Sequence, residues 1–293
     1  MSTTSDAAPG GQADLDALMA LLDLEELEVD LYRGISPAES PVRVFGGQVA
    51  AQALVAAGRT VEPDRYVHSL HSYFIRAGDP SRPIVYRAER VRDGQSFSTR
   101  RVVAVQGGKP IFTLSASFQL RQEGLEHSVR PRSEVPDPDD LPGIGYRTPS
   151  GSGRSEWMRW INRAVDMRLV DAPPWAQERV ATQQPIRAWM KAAARLPDDP
   201  LRHVCLLTYL SDLTLIGSVV ARHDLSATEV QMASLDHAMW FHQPFRADDW
   251  LLYECFSPAA SGGRGLAEGR FFTRDGTLVA TAMQEGLVRL PRS

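Results

Sequence analysis

Cysteine is nearly missing from this 293-residue chain: Cys205 and Cys255 are the only two. Two thiols so far apart build neither a disulfide framework nor a thiolate metal site, so a reducing, cytoplasmic compartment is expected. An excess of basic charge is missing as well. The formal net charge is -4, which supplies no field for a phosphate backbone and argues against nucleic-acid binding. No run approaches the roughly 18 uncharged apolar residues of a membrane span, so no membrane insertion is expected. Met1 to Asp14 has neither a basic start nor an apolar stretch, unlike a secretory leader, and residues 1–13 are expected to form a flexible tail. The chain also lacks Gly-x-Ser-x-Gly, the elbow of serine hydrolases, and His-Glu-x-x-His, the helix motif of zinc peptidases.

What is present is an ordinary globular mixture, 43% apolar and 23% charged, in a chain longer than one compact core usually needs. Leu15 to Asp30 has the spacing of a short amphipathic helix, and Leu31 to Val44 reads as strand and turn. After Phe45-Gly46-Gly47-Gln48 comes Val49 to Ala57, small and apolar nearly all round, as suits a helix buried on most sides. Strands follow at Val67–Ile75, Pro83–Arg92, Phe97–Gln106 and Lys109–Leu120, the last two joined by the hairpin pair Gly107-Gly108.

Residues 123–155 are rich in Pro, Gly, Ser and Asp and read as a crossing between two domains, 14–122 and 156–293. Beyond it the order of elements returns: strands at Val165–Asp171 and Pro185–Ala192, a helix opened by Asp198-Asp199-Pro200 and running from Leu201 to Val220, then strands at Val230–Trp240, Trp250–Phe256, Gly265–Thr273 and Thr277–Val288. Ser69-Leu70-His71 sets against Ser234-Leu235-Asp236, Tyr86 against Tyr253, and Gly107-Gly108 against Asp275-Gly276, an offset of about 165 residues that drifts by a few. The expected fold class is therefore α+β: a helix wrapped by an antiparallel sheet, the hot-dog arrangement, used twice.

Several ordered blocks carry a resemblance: Val44-Phe45-Gly46-Gly47-Gln48, His68 to Phe74, Arg92 to Phe97, Gly108 to Phe112, Tyr209-Leu210-Ser211-Asp212-Leu213, Leu235 to His242 and Val279 to Gly286. Together they make the chain, from about Leu15 to Arg289, resemble the acyl-CoA thioesterase II (TesB-type) family of double hot dogs. The resemblance implies an acyl-CoA substrate, water attack without metal or other cofactor, and catalytic roles for Asp212, Ser234 and Gln284. Where the family commonly has Thr, this chain has Ser234, which keeps the hydroxyl and loses the methyl that restricts its rotamer.

Read without the family, Asp212 lies among apolar neighbours such as Cys205, Tyr209, Leu215 and Ile216, and a carboxylate there must be hydrogen-bonded, neutralised or used. Ser234 alone reads as a strand serine and Gln284 as a solvated amide. Gly46 and Gly47 allow a thioester carbonyl to approach backbone N–H groups, or else serve close packing. His68 is a substrate-binding candidate because it lies in one of the matching blocks; it and His71, His237 and His242 otherwise read as packing or surface histidines. Arg76, Arg92, Arg100, Arg101 and Lys109 offer charge to coenzyme A phosphates, or form a solvated sheet edge. The rival functions are a hot-dog hydratase or dehydratase, and a non-catalytic acyl-CoA-binding protein. Unpaired sheet edges point to a homo-oligomer, a dimer or larger.

Overall fold

The computed structural model describes residues 11–37, 40, 43–143, 161, 163–171, 181–223, 225 and 229–290. Most of the expected tail and the last third of the expected crossing, 144–155, lie outside them.

The first half begins with α1 (Gln12–Leu22), followed by β1 (Glu25–Glu28), β2 (Leu31–Gly34), α2 (Gly46–Gly58), β3 (Arg65–Phe74), β4 (Ile84–Asp93), β5 (Phe97–Gln106) and β6 (Lys109–Leu120). The second half carries β7 (Val165–Leu169), β8 (Ile186–Ala192), α3 (Pro200–Ser211), α4 (Gly217–Val220), β9 (Gln231–Ser234), β10 (Asp236–Phe241), β11 (Leu251–Ser261), β12 (Arg264–Thr273) and β13 (Leu278–Arg289).

All thirteen strands among the described residues join one antiparallel sheet, in the order β1-β2-β4-β5-β6-β3-β10-β13-β12-β11-β8-β7, with β9 beside β13. That order reads the same from either end, as an internal duplication requires. The two halves meet where β3 pairs with β10, Asp236 opposite Tyr73 and Trp240 opposite Ser69. This is the double hot dog expected from the sequence. Alternating residues explain the strand fit: Val102, Ala104, Leu114, Ala116 and Phe118 are buried while Arg101 and Ser115 face out.

Helices α2 and α3 run antiparallel beneath the sheet, the start of each against the end of the other. A Cβ on Gly47 would fall against the Tyr209 carbonyl, and one on Gly58 would lie 2.5 Å from Leu201 Cδ2. Ala50, Ala51, Ala53, Leu54, Ala56 and Ala57 are essentially fully buried. The small side chains let the backbones approach, and each fully buried leucine such as Leu54 contributes roughly 2 kcal/mol by leaving water.

Three sequence expectations are corrected. The first helix ends at Leu22, and Glu25–Glu28 is an edge strand whose Glu25 pairs with Arg33. The helix expected over Leu201–Val220 stops at Ser211 and resumes only as the short α4: the Ser211 hydroxyl takes the Thr208 carbonyl, Asp212 and Leu213 N–H turn to Leu210 instead of their i−4 partners, and the Tyr253 hydroxyl donates to the Ser211 carbonyl at 2.8 Å. The strand expected over Val230–Trp240 breaks at Leu235. There Leu235 N–H donates to the Glu285 carbonyl and the Asp236 carboxylate accepts Glu285 N–H at 2.7 Å, placing an extra residue against β13.

The described part of the crossing is laid along the second half. Trp189 Nε1 donates to the Pro136 carbonyl, and Arg168 donates to the Pro138 and Leu141 carbonyls while lying over the Trp250 ring. Val135 and Leu141 cover a small apolar cluster of Trp189, Trp250, Leu252 and Phe272. No helix among the described residues is long and apolar enough to cross a membrane.

Candidate active site

The start of α2 lacks a cap of its own. Phe45 occupies the N-cap position and supplies no side-chain acceptor, so the first-turn N–H groups need a partner from elsewhere. Asp212 provides one: its Oδ2 accepts Gly47 N–H at 2.8 Å. Asp212 is itself the C-cap residue of α3, so its carboxylate sits at the unfavourable end of one helix dipole and the favourable end of another. Glycine is required for this approach. A Cβ on Gly46 would lie 2.7 Å from Asp212 Oδ2 and 2.9 Å from the Phe74 ring.

Strand β13 brings Gln284, fully buried, to the other carboxylate oxygen: its Nε2 donates to Asp212 Oδ1 at 2.6 Å. The same nitrogen donates to Ser234 Oγ at 3.0 Å, at the end of β9. Both amide protons are thereby used. The Ser234 hydroxyl keeps its own proton to donate, and Gln284 Oε1 is buried without a hydrogen-bond partner among the described residues. Phe74 flanks the group, and Phe45 stands edge-on to Tyr209 with 5.0 Å between ring centres.

Asp212, Ser234, Gln284, Gly46 and Gly47, separate in sequence, thus converge. His68 does not join them. It is the extra residue where β3 shifts register between Val67 and Ser69, its Nε2 hydrogen-bonds Ser117 Oγ at 2.8 Å, and its ring stands edge-on to Phe97; burial lowers its pKa. The basic residues of the first half do not form one cluster either. Arg100 is buried and donates to Thr60, Arg92 and Asp93, while Arg101 pairs with Glu89 and Arg76 donates to the Pro110 carbonyl. Among the described residues no group of three His, Cys, Asp or Glu is placed to hold a metal ion.

The pseudo-equivalent helix junction is built differently. At the start of α3, Asp199 caps its own helix by accepting Leu201 N–H at 3.0 Å, and Pro200 has no N–H to offer. At the end of α2 the C-cap is Arg59, which donates to the Leu24 carbonyl, and Arg100 fills the space beyond by binding Thr60. One junction is open to chemistry and the other is closed by a cap, a proline and two arginines.

Residues that the sequence did not single out for the site stand behind Asp212: Tyr253, Ser211 and His237, the last read as a packing or surface histidine. The repeat of Tyr86 as Tyr253 was the available signal.

Residues 36–119 match the family model described as the N-terminal domain of acyl-CoA thioesterase, and residues 164–287 match the model described as acyl-CoA thioesterase. Acyl-coenzyme A thioesterase 8 of Mus musculus is 42% identical, over 92% of this chain and 88% of that one. Acyl-CoA thioesterase 2 of Haemophilus influenzae is 34% identical, over 94% of this chain and 98% of that one. Among solved structures, the acyl-CoA thioesterase II TesB2 of Mycobacterium marinum is 46% identical with a TM-score of 0.77, covering 92% of this chain and 97% of that one. With these matches spanning both halves and the convergent site, the chain belongs to the acyl-CoA thioesterase family.

Proposed function

We propose that this chain hydrolyses acyl-CoA to free acid and coenzyme A by direct attack of a water held between Asp212 and Ser234, with Gln284 fixing both. The observation that carries this reading is the hydrogen-bond order around Gln284. Its amide donates to Asp212 Oδ1 and Ser234 Oγ, which leaves the serine proton to hold a water beside the Asp212 carboxylate, the group proposed to take that water's proton. The water's remaining lone pair faces the thioester carbonyl carbon. As the C–O bond forms, the proton passes to Asp212 and negative charge gathers on the former carbonyl oxygen. Collapse of this intermediate breaks the C–S bond, and the thiolate leaves with the proton that Asp212 held.

The oxyanion needs donors, and we assign them to the first turn of α2. Gly47 N–H is engaged by Asp212, so Gly46 and Gln48 N–H are the candidates, and Gly46 has no side chain to obstruct the carbonyl. The start of α3 is unsuited, being capped by Asp199 and lacking the Pro200 donor. Such a donor contributes roughly 3 kcal/mol to the transition state.

Cys205 and Cys255 are free and buried, which fits a reducing compartment, and we assign the protein to the cytoplasm. We also assign it to a homo-oligomer, a dimer or larger. The edge strand β1 is short and bears three glutamates, so it is poorly suited to pairing; the outer sheet face, where Tyr73 is 64% exposed, is the better contact.

The test is thiol release from saturated acyl-CoAs, with loss of enoyl-CoA absorbance measured in parallel. Thiol release that disappears in Asp212→Asn supports the reading. Enoyl-CoA hydration with no thiol release would overturn it.

A further inference from the structure

We propose that Tyr253 and His237 are positioning residues that hold Asp212 through Ser211. The proposal rests on the role of Asp212 given above. Ser211 closes α3, and its carbonyl lies in the peptide plane that leads to the Asp212 nitrogen and Cα; fixing that carbonyl fixes where Asp212 begins. Tyr253 Oη–H donates to it at 2.8 Å. The tyrosine is immobilised in turn, its ring stacked on Phe271 with 3.9 Å between centres and 6° between planes, and Gly269 leaves room for it where a Cβ would lie 2.5 Å from the ring.

The Ser211 side chain is held from a second strand. Its single hydroxyl proton goes to the Thr208 carbonyl at 2.8 Å, a better acceptor than Met239 Sδ at 3.4 Å, so the 2.9 Å contact with His237 Nε2 is an N–H donated to Ser211 Oγ. The remaining ring nitrogen, Nδ1, is buried without a partner among the described residues, as befits a bare acceptor rather than a stranded donor. His237 lies three residues after Ser234, and its carbonyl accepts the Ser72 hydroxyl of β3 at 2.7 Å. One histidine therefore ties the helix end that carries Asp212 to β10, just past the break that follows Ser234.

The pseudo-equivalent tyrosine supplies the contrast. Tyr86 Oη–H donates to the Gln52 side chain in the body of α2, not to the end of that helix. Only the tyrosine beside Asp212 holds a helix terminus.

The experiment compares kcat and KM for acyl-CoA hydrolysis in Tyr253→Phe, His237→Leu and His237→Gln, well below each thermal midpoint, with Asp212→Asn alongside. Phe keeps the stacked ring; Gln keeps an N–H donor of similar reach. Misplacement of Asp212 by a fraction of an ångström predicts kcat down about tenfold in Tyr253→Phe and His237→Leu with KM within about twofold, and recovery of most of the loss in His237→Gln. Parental kcat in Tyr253→Phe, equal impairment of the Leu and Gln variants, or a loss confined to KM overturns the proposal. If His237→Leu does not fold, the Phe and Gln variants decide. Parental turnover in Asp212→Asn removes the underlying role of Asp212; an inactive Asp212→Asn beside parental Tyr253→Phe removes only the positioning role.

Discussion

Gly47 and Asp212 stand 165 residues apart and share a 2.8 Å hydrogen bond, backbone N–H to carboxylate, across the meeting point of the two halves. The bond caps α2 with a side chain from the end of α3 and holds one carboxylate oxygen, while Gln284 holds the other.

Asp212→Asn is expected to abolish hydrolysis while leaving the fold intact. The asparagine oxygen can still accept Gly47 N–H, and its amide can donate to Gln284 once that side chain flips to present Oε1, which Ser234 can also reach with its proton. Turnover should fall by about a thousandfold with the thermal midpoint within about 3 °C. Both are measured on one preparation; early melting with parental turnover per folded molecule would refute the catalytic assignment.

At Ser234 the hydroxyl is the element that counts. Alanine should lower kcat tenfold to a thousandfold, on the order seen when a positioned donor is removed. Threonine should stay near the parental rate, since it retains the hydroxyl on a stiffer side chain. Equal rates for Ala and Ser would return the residue to a plain strand position.

The two glycines are expected to fail in different ways. Alanine at Gly46 meets the Asp212 carboxylate and the Phe74 ring, both of which can turn aside, so activity should drop more than stability. At Gly47 the obstruction is the Tyr209 backbone carbonyl, and the helices must separate, at a cost of roughly 2 kcal/mol or more. Denaturant midpoints and kcat for the pair distinguish the two outcomes.

Burial holds His237 neutral, with its pKa lowered from 6.5 to about 4. Between those values the unfolded chain binds a proton that the folded chain refuses, so the stabilising contribution is complete above pH 6.5 and lost as pH falls toward 4. The loss is about 1.4 kcal/mol per pH unit, roughly 3 kcal/mol in all. His68, His203 and His242 are lowered in the same direction by burial and add to the slope. Urea unfolding from pH 6.5 to 4.5 should therefore be less pH-dependent in His237→Gln than in the parent, and an unchanged slope would contradict the assignment.

Asp236 has the opposite sign. Burial raises its pKa, the Glu285 N–H bond opposes the rise, and the Glu285 charge reinforces it. Its contribution is complete below the unfolded value of 3.8 and lost as pH rises through the folded one, so at neutral pH the charge is a burden. Asparagine keeps an oxygen for Glu285 N–H and discards the charge. Asp236→Asn should melt higher than the parent at pH 7, with the gap closing near pH 4; a lower midpoint at pH 7 would show the carboxylate to be stabilising.

The strands of the first half were legible because alternation alone decides them: the reading over Phe97–Gln106 and Lys109–Leu120 coincides with β5 and β6, and Gly107 and Gly108 adopt the positive φ of 57° and 75° that their hairpin needs. The end of α3 was not legible. Leu213, Leu215 and Ile216 continue the apolar character of the helix, and the turn that ends it, where the Ser211 hydroxyl takes the Thr208 carbonyl and Asp212 N–H goes to Leu210, is announced by no residue type. The same holds at Leu235, where a side-chain bond from Asp236 to the Glu285 backbone sets the break. Ser234 and Gln284 were found through the family resemblance rather than through any local pattern, whereas Asp212 also stood out among its apolar neighbours. Tyr253 and His237 escaped because their partners are a backbone carbonyl and a hydroxyl, which no spacing announces.

Duplication left this chain with two places where one helix begins against the end of another, and Asp212 stands at only one of them. The other, where Gly58 meets Leu201 and Arg100 closes over Thr60, carries none of the residues proposed for hydrolysis. It is therefore the natural place to harden the protein: tighter packing around Leu201 or a better cap after Gly58 can raise the melting point while the end proposed to react keeps the geometry in which Asp212 caps α2.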